Sequence, residues 1–117
     1  MLKRFTFIKI IVILLFALLL MNEECQEINK PVKSAVIAPN PAIDKITLIM
    51  QIENETALNI GIFDMNGEML LNNNTSEVYS AGEHRVEFNI SQFISGTYLC
   101  KIDNENSTET IKFLVSK

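Results

Sequence analysis

The chain contains one histidine, two cysteines, four glycines and three prolines in 117 residues. These shortages exclude most catalytic and metal-binding chemistry. His84 has no second histidine and no cysteine cluster to work with, so neither a metal site nor a Ser/His/acid or Cys/His set can be assembled around it. The scattered glycines make no phosphate-binding loop. Positive charge is also scarce. From residue 36 onward five basic residues (Lys45, Arg85, Lys101, Lys112, Lys117) stand against eleven acidic ones, a balance of −6, and no basic stripe is left to hold nucleic acid. The sequence predicts a protein with no enzymatic activity, no cofactor, no metal and no nucleic-acid partner.

The one long apolar run lies at the start. Lys3, Arg4 and Lys9 supply a positive region, and residues 10–21 form an unbroken apolar run of twelve. That is the length of an export-signal core and short of the ~20 residues a spanning helix needs. Small residues at the cleavage positions are missing, because Asn22, Glu23 and Glu24 follow the run. Cys25 invites a lipoprotein reading, yet Glu24 is not the small residue that acylation wants before it. Residues 1–25 are expected to be a signal peptide or signal anchor, with lipidation at Cys25 the third option, and this segment is the chain's only expected contact with the inner membrane. The polar residues 26–35, including Pro31, are expected to be a linker.

Residues 36–117 are expected to form one small domain. A chain of this size buries roughly 60–65% of its unfolded surface, enough for one two-layer core. Pro39 and Pro41 around Asn40 predict an extended, polyproline-like segment at an edge or strand start, since neither proline donates a hydrogen bond. Ile46, Leu48, Met50 and Ile52 then alternate with polar residues, as do Leu58, Ile60 and Ile62 after the turn Glu53-Asn54-Glu55. Gly61 between the last two leaves a gap for a neighbouring backbone or ring. Asn66-Gly67 between apolar runs predicts a type I′ hairpin turn, with positive φ at both residues. The segment Asp64-Met65-Asn66-Gly67-Glu68 also looks like half a calcium loop, but Asn73 stands where the bidentate glutamate belongs.

Residues 72–76 read as a polar loop, and residues 82–90 as a strand with His84, Val86, Phe88 and Ile90 on one face. Residues 91–95 form a turn expected to tuck Phe93 into the core. Residues 96–117 read as a final hairpin, with Tyr98, Cys100 and Ile102 on the inner face of one arm and Ile111, Phe113 and Val115 on the inner face of the other. Cys100 is therefore expected to be a small buried apolar residue. About seven short strands with no helical period after the leader predict an all-β, immunoglobulin-like antiparallel sandwich.

Four stretches carry a resemblance. They are Ala38-Pro39-Asn40-Pro41-Ala42-Ile43-Asp44-Lys45-Ile46-Thr47-Leu48, Ile60-Gly61-Ile62-Phe63-Asp64-Met65-Asn66-Gly67-Glu68, Phe88-Asn89-Ile90-Ser91-Gln92-Phe93-Ile94-Ser95-Gly96-Thr97-Tyr98-Leu99, and Thr110-Ile111-Lys112-Phe113-Leu114-Val115. In this order and ending at the C-terminus, they resemble the C-terminal sorting domain of type IX secretion, type A (Por). The resemblance implies an immunoglobulin-like sandwich that guides a periplasmic cargo through the outer membrane of a Gram-negative bacterium. Its implied partners are the type IX translocon and a surface sortase-type protease, and its implied destination is the cell surface or the medium. The residues expected to carry sorting are Pro39, Asn40, Pro41, Asp64, Gly67, Gly96, Tyr98 and Lys112. Such domains normally follow a large cargo, and none is evident ahead of residue 36. The alternative is a stand-alone surface or periplasmic immunoglobulin-like binding module, although few aromatic residues fall outside inward positions.

Overall fold

Alternation of apolar and polar residues becomes eight antiparallel strands in a computed structural model, which describes residues 2–20, 30–73 and 76–117. Cys25 and the leader's cleavage region lie outside the described residues. Helix α1 (Leu2–Leu20) carries the apolar run uninterrupted by proline or glycine, and its side chains from Phe7 to Phe16 include many that are more than half exposed. No described helix is long and apolar enough to cross a membrane.

The strands form two sheets. The first is β1 (Val32–Ala38), β2 (Lys45–Ile52) and β6 (Gly82–Asn89), with β2 in the middle. The second runs β4 (Met69–Asn72), β3 (Thr56–Phe63), β7 (Gly96–Asp103) and β8 (Thr108–Val115), and β5 (Glu77–Tyr79) shares the β4 edge of β3. Ile46, Leu48, Met50 and Ile52 from the first sheet meet Leu58, Ile60, Ile62, Cys100, Ile102 and Phe113 from the second, each at most 2% exposed, in one buried cluster. Each such side chain stabilises the fold by about 1.5–3 kcal/mol through its removal from water. This is the two-layer antiparallel sandwich that the sequence predicts.

Four details differ from expectation. First, the described residues form eight strands where about seven are expected, because β5 occupies three residues, too few to show a period, and is held by Tyr79↔Thr56 pairing. Second, β1 begins at Val32, inside the segment read as linker; a bulge at Lys33, between the Val32↔Ile52 and Ser34↔Gln51 pairs, breaks the alternation that would have announced it. Third, the two prolines close edge strand β1 instead of opening it, and both X-Pro bonds there are cis. Fourth, the hairpin between β3 and β4 is not type I′. Asn66 keeps negative φ and only Gly67 is left-handed, at φ 86°. Gly67 N–H donates to Asp64 O at 3.2 Å and Asp64 N–H to Glu68 O at 3.0 Å, which makes a three-residue loop with glycine at its left-handed position.

Candidate functional site

The sequence motifs converge because β8 does not end at a bare edge. After β1 the chain crosses to the second sheet, where Ala42, fully buried, pairs in parallel with Val115. Ala42 N–H donates to Leu114 O at 2.8 Å, and Ser116 N–H donates to Ala42 O at 2.9 Å. Asn40 Oδ1 accepts the Leu114 N–H at 3.0 Å. The Pro39-Asn40-Pro41 segment therefore caps the outer edge of the closing strand. All three residues stay exposed on its rim.

Val115 is paired on its other side with Gly96, which brings the start of β7 to the same end of the sandwich. Tyr98 is buried there. Its ring lies 4.8 Å from that of Phe93 and 5.9 Å from that of Phe113, and its hydroxyl donates to Ile94 O at 2.6 Å. That bond fixes the 91–95 turn, which then holds the last residue. Ser95 Oγ accepts the Lys117 N–H at 2.9 Å, and Lys117 Nζ donates to Ser91 O at 2.6 Å and Ile90 O at 3.2 Å. Asp64 and Asn66 of the β3–β4 loop face the same turn across an open groove that includes Phe93, Ile94 and Gly96. Within the loop, Asp64 Oδ1 accepts the N–H groups of Asn66 and Glu68, both at 2.9 Å.

Pro39, Asn40, Pro41, Asp64, Gly67, Gly96 and Tyr98 are thus gathered at one end of the molecule. Lys112 lies further in, opposite Leu99, with its side chain outward and exposed. It has no carboxylate partner among the described residues. Gly96 sits at an ordinary φ, and a Cβ there would meet only the Tyr98 ring, at 3.9 Å, so nothing in the packing requires glycine. The chain enters at the opposite end, where Pro31 O accepts the Glu53 N–H at 2.8 Å and Val32 pairs with Ile52. Ala42 and Lys117 contribute here through partners distant in sequence that only the fold brings near.

The remaining candidates have structural roles. His84 Nε2 lies 2.7 Å from Ser80 O, and its ring meets Tyr79 edge-on at 5.1 Å. Cys100 is fully buried, and burial pushes its thiol up to about 12. Tyr79 is pushed up to about 12 as well, by burial first and by the Glu77 carboxylate second. Among the described residues no group of His, Cys, Asp and Glu is placed to hold a metal.

The motif residues thus lie at one end of a small sandwich, opposite the point where the chain enters it. Residues 36–116 match the family model of the secretion system C-terminal sorting domain, and the chain belongs to that family, which serves type IX secretion. The family is one of sorting signals and is not catalytic. A search among curated proteins finds no match.

Proposed function

We propose that residues 36–117 act as a folded export label, read by the type IX translocon at the outer membrane. Membership of the family implies a sorting signal, recognition by type IX machinery, and export to the cell surface or the medium. The observation that carries the finer reading is the tie between Asn40, Ala42 and β8. It makes the opening and closing motifs one surface, which exists only in the folded state. A detached strand would be a flexible ligand that loses conformational entropy on binding, whereas a strand fixed in a sandwich is already ordered.

In this reading residues 1–25 carry the chain across the inner membrane as a signal peptide or anchor, and the residues from 26 to 31 connect it to the domain, whose first strand begins at Val32. The domain then crosses the outer membrane from the periplasm, and a surface sortase-type protease removes it. Pro39, Asn40, Pro41, Asp64, Gly67, Gly96 and Tyr98 form the read end, and Lys112 lies beside it. The end where the chain enters is left for whatever the domain carries. The chain's own part is non-catalytic, and the comparisons lend no support to a stand-alone binding module.

The test is a fusion of the leader, a fluorescent reporter and residues 30–117, expressed in a type IX-competent cell. The reporter is expected outside the cell. Retention in the periplasm with the domain folded would overturn the proposal.

A further inference from the structure

The six basic residues from β1 onward are not equivalent. On the outer face of the first sheet Lys45 Nζ lies 2.9 Å from Glu87 Oε1, and Arg85 Nε lies 3.0 Å from Glu83 Oε1, so both cations are neutralised on the spot. Lys117 is held on main-chain carbonyls. Lys33, exposed at the bulge of edge strand β1, stands alone on the first sheet, whereas Lys101 and Lys112 share the outer face of the second; none of the three has a carboxylate partner among the described residues. Strand register sets Met69, Phe63, Leu99 and Lys112 in one row across β4, β3, β7 and β8. Lys101 stands one pleat along on β7, its Nζ 4.7 Å above the centre of the Phe63 ring. Leu114, 46% exposed, extends the apolar surface on β8.

We propose that this face is the docking surface for a protein partner that presents carboxylates around an apolar contact. The proposal rests on the reading of the domain as a folded export label and names the kind of surface that reads it. Charge complementarity carries the argument. From Val32 onward the net charge is −5, and this face sets two cations without carboxylate partners beside exposed apolar side chains. The Phe63 ring attracts the Lys101 ammonium by a cation–π contact and keeps it on the face assigned to the partner. A lipid surface fits less well, because anionic membranes are bound by clusters of about 4–8 basic residues.

The test uses the full chain with an epitope tag inserted ahead of Lys30, expressed in a type IX-competent cell. Four forms are compared: wild type, Lys101→Glu/Lys112→Glu, Lys101→Gln/Lys112→Gln, and Lys45→Glu as the control on the other sheet. The charge reversal is expected to lower extracellular tag about tenfold and the neutral pair to lower it by less, with unchanged melting temperatures, while Lys45→Glu exports normally. Wild-type export with an undiminished charge-reversal variant overturns the docking surface and leaves the export label standing, as does an equal loss in Lys45→Glu. Failure of the wild type itself overturns both. Binding of the wild-type chain to anionic phospholipid vesicles, lost in the charge-reversal variant, would identify a lipid occupant and also overturn the proposal.

Discussion

Asn40 accepts a hydrogen bond from the backbone N–H of Leu114 at 3.0 Å, across 74 residues of sequence. Asn40 follows the first strand and Leu114 lies near the end of the last, so this contact closes the domain on itself. It also uses an N–H on the outer edge of β8, where an unpaired donor invites pairing with another chain. Asn40→Ala is expected to cost about 1 kcal/mol and to speed hydrogen exchange at the Leu114 amide. Asn40→Asp keeps the acceptor and should retain most of the stability. Equal loss in both variants, measured by denaturant unfolding, would show that the bond is not the cause.

Phe113 is fully buried and Phe88 is 8% exposed, one from each sheet. Truncating either to Ala is expected to cost about 3–5 kcal/mol, a large share of an ordinary stability of about 5–15 kcal/mol. The measurement belongs on residues 30–117, which include all of β1; a fragment starting at residue 36 would lack its first four residues. Urea unfolding of both variants against the parent checks the figure, and a far-UV spectrum of the parent dominated by helix would contradict the sandwich.

The two glycines assigned to the sorting end should behave differently. Gly67 has φ 86°, where a side chain is strained, so Gly67→Ala is expected to destabilise by about 1–2 kcal/mol. Gly96→Ala adds a methyl at ordinary van der Waals distance from Tyr98 and should be within about 0.5 kcal/mol of neutral. If Gly96→Ala impairs export at unchanged melting temperature, Gly96 is read by a partner. If export is also unchanged, Gly96 drops out of the sorting surface.

Much of this fold was legible in the sequence, and the reasons differ by element. The inward sets of β2, β3, β7 and β8 follow from a period of two, which burial of one face imposes. The gap expected at Gly61 is filled by a ring: a Cβ built there would lie 2.9 Å from Phe63 Cε2. The position of the β3–β4 hairpin was legible but its turn type was not, since Asn-Gly suits both a two-residue loop and the three-residue loop that forms. Short β5 and bulged β1 carry no clean period. At the site, the motif residues could be named one by one, while their convergence on β8 depends on contacts such as Asn40 to Leu114 that no local pattern encodes.

Alkaline pH should weaken the fold. Cys100 is raised from 9.0 to about 12 and Tyr79 from 10.0 to about 12, burial being the main cause in both. Both groups are favoured in their neutral forms by folding, so their contribution is fully present below pH 9 and is lost as pH rises toward 12. The loss from Cys100 is expected to be of order 2–4 kcal/mol, and Cys100→Ala should flatten the alkaline limb while lowering stability at neutral pH. A thiol reagent should label Cys100 only in denaturant. Rapid labelling of the native protein would contradict the burial.

Deleting Ile111 to Lys117 and substituting Lys112 alone separate two ways of losing export. The deletion removes Phe113 and Val115 from the core, the partners of Asn40 and Ala42, and the Lys117 contacts to the 91–95 turn. Folding and recognition should fail together, leaving the tagged chain in the periplasm. Lys112→Ala removes none of these contacts, because its side chain points outward from β8 and makes no ion pair among the described residues. Its melting temperature should match the parent, since surface changes of this kind stay within about 0.5 kcal/mol. A partial loss of export in Lys112→Ala, with the fold intact, would therefore report a contact with the export machinery. Full export in Lys112→Ala beside full retention of the deletion would mean that β8 serves only to complete the sandwich, and that the reading surface lies at the Asn40 and Gly96 end alone.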